Sequence, residues 1–167
     1  FDVSNACAGM VTALMIAESR IKSGQANYAL IVSGAHITPI IDEAKRRNLY
    51  LNPRAIPSLT VGDGAAAYIL GPTEQEGRIK FSEPFTLAQH NLLCIGQACK
   101  NHRGPRMRTK ARELQNSVMI NLGTFLQRSM NKMGVKWEQI DHTYAHPTTP
   151  KAVKKGGKIA TEALGEI

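Results

Sequence analysis

The chain has 167 residues, 43% apolar and 5% aromatic, with 21 Lys and Arg against 13 Asp and Glu, a net charge of +8. That length can enclose a core, and the composition excludes collagen-like, coiled-coil and disordered polypeptides. No apolar run reaches the roughly 20 residues that span a bilayer, so no membrane partner is expected. The cysteines are Cys7, Cys94 and Cys99. An odd, low count argues against a disulfide framework and for a reducing, cytoplasmic setting. The positive balance points to an acidic partner. Its basic clusters are not interleaved with aromatics, so a nucleic-acid stacking platform is not expected.

The chain opens without Met, inside an apolar, strand-like stretch that runs into small residues around Cys7. It is therefore read as a piece of a longer protein. A helical pattern begins at Ala8 and continues to Ser23, with Met10, Val11, Leu14, Met15, Ile16 and Ile21 spread round most of its circumference. Such a helix is expected to be buried on nearly all sides. A thiol at its first turn meets free backbone N–H groups and the positive end of the helix dipole. Both favour the thiolate, the form that attacks a carbonyl or thioester. The plainer reading is an inert, buried small hydrophobe.

Gly24 is placed to stop the helix, and Tyr28 to Gly34 form an apolar run of strand length. Such a run suits a strand covered on both faces. From Ala35 to Ser58 the periodicity vanishes among Pro39, Pro53 and Pro57, with a basic triplet at Lys45-Arg46-Arg47. A long connection is expected there. Glycines around Asp63 then lead into another strand, through Leu70. They precede a strand and not a helix, so they do not form a dinucleotide fingerprint.

Glu74 to Gly77 is a polar joint between two halves, 1–76 and 77–167, and Ile79 to Phe85 is a candidate strand. His90, Cys94, Cys99 and His102 fit no common zinc spacing, and no metal is expected. Lys100, Arg103, Arg106, Arg108, Lys110 and Arg112 make the densest basic cluster, read as a solvated face. Glu113 to Met133 is the clearest amphipathic helix, with Leu114, Val118, Leu122, Phe125, Leu126, Met130 and Met133 as its core stripe and Gly134 as its stop. A short strand over His142–Pro147 presents His146 at a turn. Thr149 is the expected N-cap, and Pro150 the first residue, of a final Lys-rich helix weakened by Gly156-Gly157.

Val3-Ser4-Asn5-Ala6-Cys7-Ala8-Gly9 resembles the nucleophile motif of thiolase-fold condensing enzymes, nearest the beta-ketoacyl-acyl-carrier-protein synthase III group. Gly62-Asp63-Gly64-Ala65 matches the Gly-Asp-Gly-Ala stretch of that family. His146 falls where its catalytic histidine lies, although Pro147-Thr148-Thr149 departs from the usual His-Gln-Ala-Asn pattern. The resemblance implies an α/β, partial thiolase-like fold, with mixed sheets packed around a buried helix beginning at Cys7. It also implies a third catalytic residue, an Asn in a Gly-Asn-type loop, which has no match in this sequence.

The implied reaction is condensation of an acyl thioester with a malonyl thioester. Cys7 takes the acyl group, and His146 hydrogen-bonds the thioester oxygen. CoA and acyl-carrier-protein thioesters are substrates, no cofactor is needed, and a homodimer is expected. Arg46 and Arg47 are placed near a channel mouth, and Lys151, with Lys154 and Lys158, where carrier-docking bases lie. Two alternatives remain at this point. One is acyl transfer to an alcohol or amine without decarboxylation; the other is a non-catalytic half-domain.

Overall fold

The structure, a computed structural model, describes residues 1–47, 51–74, 78–98 and 105–165. The chain divides into two compact units, Phe1–Thr38 with Gly62–Pro84 and Pro39–Val61 with Phe85–Ile167. The expected joint around residue 76 lies outside the described residues.

In the first unit a 3-10 turn, Ala6–Ala8, leads into α1 (Gly9–Lys22). Gly24 stops the helix at φ +73°, a backbone angle that costs glycine nothing, and the amide of Gln25 returns to the carbonyl of Arg20 at 2.9 Å. The chain then doubles back as β1 (Ala29–Ala35), which pairs antiparallel with β2 (Gly64–Leu70) in the register Ala29↔Leu70 to Ala35↔Gly64.

Alternation divides this two-stranded sheet into faces. Ile31 is buried, on the same face as Tyr68; α1 packs against β1, and its Ala17 is buried. Leu30, Val32 and Ile69 point the other way and are 68%, 68% and 77% exposed. The expectation that β1 is covered on both faces is thus corrected: α1 covers one face only. The expectation of an all-round buried α1 fails for the same reason. Only Ala17 of α1 is buried, because no second described layer closes over the helix.

Ile79 to Phe85 has no regular secondary structure and joins no ladder among the described residues. A side-chain tether holds it instead: Ser82 Oγ donates to Glu18 at 2.7 Å, and Lys22 donates to the same carboxylate at 2.6 Å. These two donors hold the Glu18 carboxyl below its ordinary range.

The second unit corrects the reading of 35–58 as structureless. It contains most of α2 (Thr38–Lys45), followed by 3-10 turns over Pro53–Thr60. Pro39 is placed in the helix's first turn, where its missing N–H costs nothing. After a 3-10 turn at Ala88–Leu93, β3 (Cys94–Ala98) pairs antiparallel with β4 (Pro105–Thr109). Among the described residues both sheets are antiparallel pairs. The mixed pairing expected from sequence is not present in them, since neither pair has a third strand.

β4 packs on the Pro53–Thr60 turns, and buried Ala44, Ala55, Ser58 and Thr109 mark that core. Glu43 is buried with them. Its Oε1 lies 3.0 Å from Arg47 Nε and 3.5 Å from Arg106 Nε, with side-chain exposures of 6%, 14% and 37% respectively. Truncating Glu43 leaves two guanidinium groups without their buried counter-charge. Glu43→Ala is therefore expected to cost about 2–3 kcal/mol, below the 3–5 typical of fully enclosed pairs because Arg106 reaches water. Urea unfolding checks the loss, and the double change Glu43→Leu with Arg47→Met should recover much of it.

α3 (Ala111–Met133) ends at Gly134, φ +63°, as expected. α4 (Pro150–Leu164) begins with Thr149 Oγ1 accepting from the Ala152 amide at 3.1 Å, also as expected. The two helices run in the same direction. Gly156 lies against Met119 and Leu122, Gly123 against Ala163, and Gln127 donates to the Ala163 carbonyl. Gly123 of α3 allows this close approach, since an added Cβ there would lie 3.0 Å from the Ala163 Cβ, whereas one at Gly156 would make ordinary contacts and one at Gly157 none. A parallel pair requires the linking chain to travel back the length of α3. The expected short strand over 142–147 has no regular secondary structure and pairs with no described strand.

Candidate active site

Cys7 lies in the Ala6–Ala8 turn, two residues before the first residue of α1, and is exposed. The expectation that it opens a buried helix is corrected on both counts. Ala6 has φ +40°, in the region an L side chain rarely adopts, at a cost on the order of 1 kcal/mol. Local bonds hold the turn against that strain. The Ala8 amide donates to the Asn5 carbonyl, Asn5 Nδ2 to Thr12 Oγ1, and Thr12 Oγ1 to the Ala8 carbonyl, each at 2.9 Å. Cys7 is therefore presented from a bent backbone whose ends are both tied to the start of α1.

Asp63 performs work the sequence pattern did not reveal. Its Oδ1 accepts from the amides of Ile37 and Thr38, and its Oδ2 accepts from Thr38 Oγ1 at 2.7 Å and lies 3.3 Å from His36 Nδ1. A residue 25 positions downstream thus caps the start of α2. These donors, the Thr38 hydroxyl first, lower the Asp63 carboxyl to about 2 from 3.8. A depressed carboxyl stabilises the fold above its unfolded value, near 4, and loses that contribution as pH falls toward 2. The melting temperature is expected to drop across that interval in the wild type. Asp63→Asn should flatten the drop, as pH-dependent thermal melts would record.

The remaining expected site residues lie in the second unit. His146 is exposed in the irregular segment before α4, and the Thr148 amide donates to its carbonyl at 3.0 Å. Arg46 is exposed just beyond α2, while Arg47 is held by Glu43. Lys151, Lys154, Lys155 and Lys158 are exposed along α4, with Lys158 3.7 Å from Glu162. Cys94 Sγ is 3.3 Å from Thr109 Oγ1, whereas Cys99, Lys100, His102 and Arg103 lie outside the described residues. Among the described residues no cluster of metal-ligating side chains occurs, and no helix is long and apolar enough to cross a membrane.

The family profile of 3-oxoacyl-[acyl-carrier-protein (ACP)] synthase III matches residues 1–84, half of the chain, including the Cys7 turn and the Asp63 clamp. The chain belongs to that family. The synthase III of Erythrobacter litoralis is 30% identical over 151 residues, covering 87% of this chain and 44% of its own. That of Aquifex aeolicus is 26% identical over 153 residues, 92% of this chain and 45% of its own.

Among solved structures, OleA of Xanthomonas campestris superposes with a TM-score of 0.82 at 22% identity, covering all of this chain and 49% of that one. The Aquifex aeolicus synthase III gives 0.74 at 24% identity, with 48% of its chain covered. The chain thus spans about half the length of the relatives it matches, and it has a partial thiolase-like α/β fold.

Proposed function

We propose that this chain carries the nucleophile of a Cys-dependent acyltransferase that condenses an acyl thioester with a malonyl thioester, as in fatty acid or polyketide synthesis. The observation that carries this reading is the exposed Cys7 on its strained, tethered turn, inside the segment that matches the synthase III family. Exposure gives a thioester access, and the turn fixes the direction of attack.

In the first step Cys7 Sγ bonds to the donor's carbonyl carbon, and the donor's thiol leaves. In the second, a malonyl thioester loses CO₂. The resulting carbanion attacks the acyl-Cys7 carbonyl, forms the carbon–carbon bond of a 3-oxoacyl thioester and releases the Cys7 sulfur. His146 donates a hydrogen bond to the malonyl thioester oxygen while enolate charge develops there. We read residues 1–76 and 77–167 as parts of two thiolase-like halves, with the protein acting as a homodimer.

The basic residues fit acidic substrates. Arg46 and Arg47 are assigned to the CoA or carrier phosphate, the latter as far as its pairing with Glu43 leaves it free, and Lys151 to the acidic carrier protein. Single exposed pairs add little affinity, so their effect is on the encounter rate. Lauroyl-CoA is a suitable donor to test, because an OleA structure was solved with lauric acid and lauroyl-CoA.

The experiment supplies lauroyl-CoA and a malonyl thioester and follows CO₂ and product together. One CO₂ released per 3-oxoacyl product supports condensation. Acyl transfer to an alcohol or amine without CO₂ rejects it in favour of the acceptor that Pro147-Thr148-Thr149 leaves open, and no transfer at all favours a non-catalytic half-domain.

A further inference from the structure

Within the first unit the topology returns the chain to the end at which Cys7 lies. α1 has 14 residues, about 21 Å at 1.5 Å each, and β1 runs back along it for seven residues, about 23 Å at 3.3 Å each. The residue after β1 is His36. The register Ala35↔Gly64 sets Asp63 beside it, just before β2. His36 is the single histidine in the sequence of this unit. Its ring is 76% exposed, and its Nδ1 lies 3.3 Å from Asp63 Oδ2. Asp63 is itself fixed by the two backbone amides and the Thr38 hydroxyl. A carboxylate so anchored holds an imidazole with Nδ1–H toward it and the Nε2 lone pair directed away. A nucleophile, a base and a group that orients the base then stand at one end of one unit.

We propose that His36, oriented by Asp63, is a further catalytic residue that serves the loading of Cys7 and is distinct from His146. This rests on the acyltransferase reading above. As Sγ bonds to the thioester carbonyl carbon, the Cys7 thiol proton passes to His36 Nε2 and the carbonyl π pair moves onto oxygen. When the tetrahedral adduct collapses, the carbon–sulfur bond to the donor breaks. The departing thiolate takes the proton back from Nε2. The products are acyl-Cys7, a neutral donor thiol and a neutral His36. Asp63 is a positioning residue, acting only through the ring.

The test is the rate of acyl-Cys7 formation from lauroyl-CoA, without a malonyl thioester, followed by quenched-flow mass spectrometry. His36→Ala is expected to slow loading about 100-fold, the lower range for a lost general base. Free imidazole should restore part of the rate, which loss of a merely structural side chain would not allow. His36→Gln, which keeps most of the volume, should be as slow as His36→Ala while melting like the wild type. Loading within twofold of wild type in either variant overturns the proposal. So does a loss that imidazole leaves unchanged in a variant that melts normally. A wild type that never loads instead rejects the acyltransferase reading, and this proposal with it.

Discussion

Replacing Cys7 by Ser should abolish acyl loading, with a loss on the order of 1,000-fold or more in the initial rate from lauroyl-CoA. The serine hydroxyl keeps the size and polarity of the side chain but is a far poorer nucleophile near neutral pH. Its local fold should persist, since the turn is held by Asn5, Ala8 and Thr12 and not by the sulfur. An unchanged melt beside a lost rate would therefore separate chemistry from folding. Cys94→Ser, whose residue lies at the start of β3 in the other unit, should load at the wild-type rate.

His146→Ala should leave that loading rate nearly intact and lower the decarboxylative step by about 100- to 1,000-fold, the usual cost of one donor to a developing oxyanion. The distinction follows from the assigned roles. Loading needs an attacking sulfur, whereas condensation needs charge stabilised on a second thioester. Among the described residues its exposed ring makes no side-chain hydrogen bond, and the Thr148 amide bonds to its backbone carbonyl, which an alanine retains. The fold should hardly notice the change. Measuring acyl-Cys7 and CO₂ in the same reaction checks both halves of the expectation, and a proportional fall in both would contradict the division of labour.

Some of this was legible in the residues. The 3.6-residue period of α3, its Gly134 stop, the Thr149 cap and Pro150 start of α4, and the Gly62–Gly64 entry into β2 are local signals that the structure reproduces, although of the stripe expected to be core only Met130 is buried and Val118 is 46% exposed. α2 is not legible in the sequence because Pro39 reads as a break, although proline sits as readily in a helix's first turn. The capping carboxylate that favours the helix comes from Asp63, far along the chain, so no window around Thr38 contains it.

The short strands expected over 79–85 and 142–147 have the right composition. A strand also needs a partner, and composition does not supply one. The burial expected of α1 and of both faces of β1 failed similarly, since apolar residues state what could be buried and not what covers them. In the candidate site, Cys7 and His146 are expectations that the family resemblance implies, and they fall in separate units. The strain at Ala6 and the pairing of His36 with Asp63 are not legible in the sequence, because both are properties of backbone geometry.

The most direct measurement is a peptide map of the intact chain after incubation with lauroyl-CoA, locating any thioester adduct by mass. A lauroyl increment on the peptide that contains Cys7, labile to hydroxylamine and absent from Cys7→Ser, is the predicted result. An adduct confined to Cys94 or Cys99, or none while Cys7 still reacts freely with iodoacetamide, would contradict the assignment of Cys7 as the acyl carrier.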